Sequence, residues 1–372
     1  MTEIIETKSC AGCGVTLQTE NQRLPGFIPN SAIDKEQVIC QRCFRIKHYN
    51  EVAQVSMDDD DFVQILNGIA STDSLVVKVV DIFDFNGSWL SGLHRFVGNN
   101  PILLVGNKLD LLPQAINPNR LVNWMRYEAK QLGLKPVDVM LCSAKQGRGL
   151  DQLVEAIVRY RRQEDIYIVG ATNVGKSTLI NTLLRHYGEN ELELTTSRFP
   201  GTTLDMIEIP IDERHSLFDT PGIINKDQIV HMVDPEDLKL ISPETRINPK
   251  VFQLNDQQTL FLGGMARVDF VSGKRQPFVV YVSNRMHIHR TKLEKADELF
   301  ETHAGSKILS PPHGENHKKL PPLQRRTFRI RPGEKKDIVI SGLGWITVGE
   351  VGASVDVHAP RGVSVILRNA LI

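Results

Sequence analysis

Residues 170 to 177 read GATNVGKS, a Gly-x4-Gly-Lys-Ser loop set between the apolar run DIYIV and the helical pattern GKSTLINTLLRHY. Glycines let a backbone wrap a phosphate, and the following helix offers free amides and the positive end of its dipole. In that frame the backbone of Gly170, Asn173, Val174 and Gly175 lines the phosphates, with Thr178 at the start of the helix. Lys176 reaches the β- and γ-phosphates, and the Ser177 hydroxyl ligates Mg2+. The loop alone leaves ATP and GTP open.

Four further stretches bear on that choice. Asn107-Lys108-Leu109-Asp110 closes the apolar run PILLVG. The Asp110 carboxylate accepts from the ring N–H and exocyclic amine of guanine, whereas adenine presents no such donor pair; Asn107 reaches the other ring edge and the Lys108 stem lies over the base. Ser143-Ala144-Lys145 follows another strand pattern, so that its amides face the guanine carbonyl. PGTT at 200–203 supplies the hydroxyls of Thr202 and Thr203, the latter directed at Mg2+. DTPG at 219–222 supplies Asp219 for Mg2+ through water and the Gly222 amide for the γ-phosphate. The residues expected to act on the transferred phosphate are Lys176, Asn173, Thr203 and Gly222. These motifs run in the order base, base, phosphate, switch one, switch two, and NKLD precedes the phosphate loop by about sixty residues. Rotating the list restores the usual order of a guanine-nucleotide domain.

Cys10-x-x-Cys13 and Cys40-x-x-Cys43 have the spacing of a tetrahedral four-thiolate Zn2+ site, closed to further ligands and therefore structural. Disulfides or a redox pair are the competing readings, with no secretory signal to favour them. Cys142 reads as a small buried apolar residue.

The elements that position these groups are alternating strands and helices. SLVVKVVDIFDF, PILLVGN, VDVMLCSA and DIYIVG read as buried parallel strands, with helices from Leu121, Gly149 and Gly175 between them. The expected fold is α/β, a parallel sheet with helices on both faces. TTLDMIEIPID and HSLFDTPG read as two strands joined by a tight turn. The acidic run before Phe62, Ile65, Leu66 and Ile69 caps a helix N-terminus. The pattern divides the chain into three domains: residues 1–55 with the cysteines, 56–224 with the nucleotide motifs, and 225–372, a mostly β region interrupted by one helix near Lys292–Thr302. In the last, SPPHGENHKKLPPLQRR reads as an exposed, flexible basic loop.

Lys plus Arg and Asp plus Glu are each 44, so the formal charge is zero. From Lys250 onward there are nineteen Lys or Arg against eleven Asp or Glu, a local bias toward a polyanion. Basic residues there are interleaved with Phe278, Tyr281, Phe328 and Trp345, which either stack bases or form a core under a solvated basic face. His287 and His289 belong to that surface, and Arg42, Arg45, Lys47 and His48 near the second cysteine pair offer a further RNA or protein contact. No apolar run approaches a membrane span, and the N-terminus has neither signal nor transit character, which places the protein in the cytoplasm.

Taken in order, CAGC, CQRC, NKLD, SAK, GATNVGKS, PGTT and DTPG resemble the circularly permuted GTPases of the YqeH type, bacterial ribosome-assembly factors with an N-terminal four-cysteine zinc module. The resemblance covers essentially the whole chain, by motif as far as DTPG and by layout beyond it. It implies GTP and GDP binding, Mg2+-dependent hydrolysis, and work on the small (30S) ribosomal subunit or its precursor through rRNA contacts, with no DNA or membrane partner. The chain departs from Ras-like proteins at Ile223, where those carry a water-orienting glutamine, so slow intrinsic turnover is expected.

The alternative functions are a guanine-nucleotide-dependent RNA scaffold with incidental hydrolysis, and an ATPase in which NKLD is accidental. In loops of this type the asparagine equivalent to Asn173 helps hold K+ beside the phosphates, or else merely braces the loop by hydrogen bonds. The first role predicts faster GTP hydrolysis in K+ than in Na+ at matched ionic strength; equal rates would leave only the second.

Overall fold

The computed structural model describes residues 8, 10, 16–20, 26–32, 38–41, 56, 57, 59–187 and 206–372. Two compact units emerge. The first comprises residues 1–82, 88–109 and 118–224; the second comprises 83–87, 110–117 and 225–372.

In the first unit the strands are β1 (Ser56–Met57), β2 (Ser74–Asp81), β3 (Ile102–Asn107), β4 (Asp138–Leu141), β5 (Asp165–Val169), β6 (Ile207–Pro210), β7 (Ser216–Asp219) and β8 (Gly222–Ile223). Six of them form one sheet in the order β4-β3-β2-β5-β7-β6. All its pairs are parallel except β6 with β7, whose turn is closed by Asp212 accepting from the amides of Arg214 and His215. β2 and β3 are buried nearly throughout, which accounts for their β-branched and leucine-rich runs. The helices are α1 (Asp59–Ala70), α2 (Leu93–Phe96), α3 (Pro118–Gln131), α4 (Leu150–Arg161) and α5 (Lys176–Tyr187). β8 pairs in parallel with β1 outside the main sheet.

At the centre of β2, Lys78 is fully buried. Its Nζ lies 3.3 Å from the Trp89 ring centroid and donates to the Leu90 carbonyl at 3.3 Å. Burial holds its pKa well below the ordinary lysine value. The run SLVVKVVDIFDF reads as a buried strand, but nothing local in it identifies the partners that make an interior lysine tolerable.

The second unit carries β9 (Lys250–Leu254), β10 (Gln258–Leu262), β11 (Ala266–Ser272), β12 (Gln276–Val282), β13 (Ile288–Lys292), β14 (Leu323–Ile330), β15 (Lys336–Ile340), β16 (Gly344–Val348), β17 (Ala353–Pro360) and β18 (Val365–Asn369). They form two antiparallel five-stranded sheets, β13-β10-β11-β17-β14 and β18-β15-β16-β12-β9. Val268, Phe270 and Val357 from one sheet and Phe278, Val280 and Ile346 from the other share a core. Segment 83–87 is tied into this unit: Asp84 Oδ2 accepts from Gln228 Nε2 at 2.6 Å and the Gly342 amide at 2.9 Å, and Arg368 Nη1 donates to Asn86 Oδ1 at 2.6 Å.

The second unit corrects several expectations. The strand read as running on through IFDF stops at Asp81. Before the first β-strand of residues 225–372 lies α6 (Pro235–Ile241), a helix absent from the expected mostly β layout and started by an Asp-Pro step with an acidic first turn. The helix expected near Lys292–Thr302 is present as α7 (Ala296–His303) after a 3-10 turn. Residues 310–326 are not a free loop: they contain a 3-10 helix (Gly314–Lys319) and the start of β14. Buried Asp237 anchors the segment by accepting from the His313 amide at 3.2 Å and Asn316 Nδ2 at 3.3 Å. Phe278, Tyr281 and Trp345 are 0%, 6% and 1% exposed, which rules them out as a base-stacking platform. Tyr281 stacks on Trp345 at 4.7 Å between centroids, and burial pushes its hydroxyl pKa up to about 12. Phe328 is half-buried against the same core.

On the outer face of β11, Asp269 is buried and accepts from Arg267, Thr259 Oγ1 at 2.8 Å and His358 Nε2 at 3.0 Å. Burial alone would raise its pKa; the bonds from His358, Arg267 and Thr259 outweigh that and hold it below the usual carboxylate value. A depressed folded pKa stabilises the fold above the unfolded value of about 3.9, and that contribution is lost as pH falls through the folded value. The Tm difference between the native chain and Asp269→Asn should therefore shrink as pH is lowered from 7 to 3; a constant difference would contradict this linkage.

Candidate nucleotide site

The first unit gathers the scattered motifs at the carboxyl ends of β3, β4, β5 and β7, where a doubly wound sheet binds its ligand. β3 delivers Asn107, which is 2% exposed. Its Nδ2 donates to the Val174 carbonyl of the phosphate loop at 2.9 Å, and its Oδ1 accepts the Ala144 amide at 3.0 Å. This side chain therefore ties the phosphate loop to the SAK loop, a role beyond the base edge expected for it. Lys108 follows in the left-handed region at φ 66, and Leu109 N donates to the Cys142 carbonyl at 3.0 Å. Asp110 is buried in the 3-10 turn Leu109–Leu111, in a segment counted with the second unit.

After β4, Ser143 is buried and its amide donates to Arg148 O at 2.9 Å, while its Oγ accepts from the Gln146 amide at 3.2 Å. That closed turn carries buried Ala144 and exposed Lys145. Cys142 is buried, and its Sγ lies 3.5 Å from Asn107 Oδ1.

After β5, the phosphate loop turns through Asn173 at φ 63 and Gly175 at φ 91. Gly170 begins it, buried Val174 packs inside it, and exposed Thr178 lies in the first turn of α5. A Cβ on Gly175 would come 2.5 Å from Asn107 Nδ2, so glycine is required there both by its φ and by the neighbouring amide. Lys176 Nζ donates to Gly170 O at 2.9 Å and Ala171 O at 3.2 Å, folding the lysine over the loop. Asn173 is exposed at this turn and makes no side-chain hydrogen bond among the described residues.

β7 brings Asp219, 2% exposed, opposite Ile168 of β5 in register. Gly222 lies beside the loop: a Cβ there would sit 3.0 Å from Lys176 Nζ and 3.1 Å from Thr172 Cα. The Thr172 amide donates to Ile223 O at 2.7 Å, so the residue in the glutamine's place is fastened by its backbone. Thr202 and Thr203 lie outside the described residues.

Ser177 and Asp219 are buried oxygen donors beside a phosphate-shaped loop, a hard donor set that suits Mg2+. When bound, Mg2+ would neutralise developing phosphate charge; the chain's own contribution is to hold Lys176 and the loop amides in place. For Zn2+, Cys10 and Cys40 are both buried, and the Cys40 amide donates to Cys10 Sγ at 3.1 Å. Amide donation to sulfur stabilises thiolate character, which fits a soft metal. Cys13 and Cys43, like Arg42, Arg45, Lys47 and His48, lie outside the described residues.

A parallel sheet, a Gly-x4-Gly-Lys-Ser loop between β5 and α5, and a guanine motif on a strand that precedes that loop in the chain define a circularly permuted P-loop GTPase, a GTP-hydrolysing enzyme. Residues 165–258 match the family described as "50S ribosome-binding GTPase", and residues 275–371 match "YqeH-like, C-terminal". The chain is 56% identical to "Uncharacterized protein YqeH" of Bacillus subtilis, over 99% of this chain and 100% of that protein. It is also 30% identical to "Putative nitric oxide synthase" of Oryza sativa (92% and 70% covered) and 25% identical to "Nitric oxide-associated protein 1" of Homo sapiens (91% and 71%). The chain belongs to the YqeH family.

Gly175→Ala tests the loop geometry. It is expected to weaken GDP binding by at least tenfold, since a left-handed alanine costs on the order of 1 kcal/mol before its contact with Asn107 is counted. Equilibrium titration with a fluorescent GDP analogue measures the loss.

Proposed function

We propose that this GTPase is a nucleotide-switched factor in small-subunit ribosome assembly, acting in the cytoplasm through contacts with rRNA. What carries this reading is the positive bias of residues 250–372 together with where the charges fall. β14 is an edge strand whose Arg325 and Arg329 are exposed. Alternation along a strand puts both on one face, and register places Arg325 opposite His358 of β17. With Phe278, Tyr281 and Trp345 in the core, the RNA contact is made through phosphates, which a basic strand neutralises without reading bases. Mg2+ at Ser177, Thr203 and Asp219, structural Zn2+ on the four cysteines, and K+ near Asn173 complete the proposal. DNA and membranes are not partners in it, and among the described residues no helix is long and apolar enough to cross a membrane. The three-part division at residues 55 and 224 is retained as functional: zinc module, GTPase, RNA-facing region.

A scaffold in which hydrolysis is incidental is the second reading, favoured by one observation: apolar Ile223 where Ras-like proteins place a water-orienting glutamine. Single-turnover GTP hydrolysis with purified small or large ribosomal subunits separates these. Acceleration of at least tenfold by small subunits alone is expected. Acceleration by large subunits alone would overturn the subunit assignment, and nucleotide-independent binding without acceleration would favour the scaffold.

A further inference from the structure

The Lys108 side chain, expected to lie over the guanine, is held by an acid. Its Nζ lies 2.6 Å from Asp81 Oδ2, with the lysine side chain 30% exposed and the aspartate 13%. Asp81 is the last residue of β2 and pairs in register with Asn107, so the two neighbouring strand ends place an acid beside the lysine of the base motif. The backbone around that acid is fixed by two bonds: the Asp81 amide donates to the Ser88 side-chain Oγ at 3.0 Å, and the Ile82 amide donates to the Asn107 carbonyl at 3.1 Å. Lys108 itself holds a left-handed backbone conformation, which a non-glycine residue keeps only when its surroundings over-determine it.

We infer that Asp81 is a positioning residue for guanine-nucleotide binding, acting through Lys108 and touching no nucleotide atom. A free lysine has much rotamer freedom to lose when its stem is laid along a base. An acid that has already fixed the ammonium removes part of that loss before the nucleotide arrives, which is preorganisation. The pair is partly exposed, and solvent screening limits its strength. Neutralising Asp81 should therefore weaken GTP and GDP alike, by roughly three- to tenfold. It should leave the rate of bound-GTP hydrolysis unchanged, because the pair lies on the base side.

The test is a double-mutant cycle on the full chain, using Asp81→Asn, Lys108→Ala and the two combined. GDP affinity is measured by titration with a fluorescent analogue, and single-turnover hydrolysis at saturating GTP. The expected result is that Asp81→Asn weakens GDP in the native background but has no effect once Lys108 is alanine, with hydrolysis of bound GTP equal to that of the native chain. Additive losses would show that Asp81 acts independently of Lys108 and would overturn the inference, as would unchanged affinity in Asp81→Asn. Asp81→Glu, which keeps the charge, is expected to recover part of the affinity; a glutamate no better than asparagine would count against the ion pair. Thermal melting of each variant guards the reading, since a generally destabilised sheet would weaken binding in the Lys108→Ala background too.

Discussion

Three segments far apart in the chain meet at one buried amide. Asn107 donates to Val174 of the phosphate loop and accepts from Ala144 of the SAK loop, and all three groups lie inside the first unit. Each bond satisfies a backbone group that would otherwise be buried without a partner, at a cost of about 1–3 kcal/mol. The phosphate loop must keep Gly175 bare to let that amide approach. The NKLD, SAK and phosphate loops are thus fastened to one another through a single side chain.

The permuted chain replaces a covalent connection with hydrogen bonds. Gly222 and Ile223 pair in parallel with Ser56 and Met57, and Ile223 O accepts the Thr172 amide. Gly222 and Ile223 are therefore held between β1 and the phosphate loop. That backbone pairing is made by main-chain groups and does not depend on which side chain stands at position 223. This gives Ile223 a clear structural place despite its inability to orient water as a glutamine does.

Much of the fold was legible in the residues. The runs of β2, β3 and β5 are mostly apolar, with Lys78 interrupting β2, because both faces of a parallel sheet are covered. The phosphate loop and NKLD announced themselves because their chemistry needs particular side chains at short, fixed spacing. Lys78 inside VVKVV was not legible, since what makes it tolerable is the Trp89 face and the Leu90 carbonyl, both supplied by the returning chain. The aromatics of residues 250–372 misled for a related reason. Alternation in a strand does not say which face is inward. Phe278 points into the core between the two sheets, while Tyr281 and Trp345 are buried on the opposite face of their sheet, stacked on each other with Phe83 and Arg368 beside Trp345. The stretch 310–326 had loop composition, yet buried Asp237, more than seventy residues earlier, fastens it.

Residue type and spacing alone determined the class of ligand, the order of the motifs and the alternation of strands with helices, because each depends on groups within a few positions of one another. The tertiary structure decided which of those groups cooperate. Asn107 became a bridge between loops, Asp81 a support for Lys108, and the basic strand β14 an exposed edge over a closed core. Each is set by pairing and burial between residues distant in the chain, and those relations have no local signature to read.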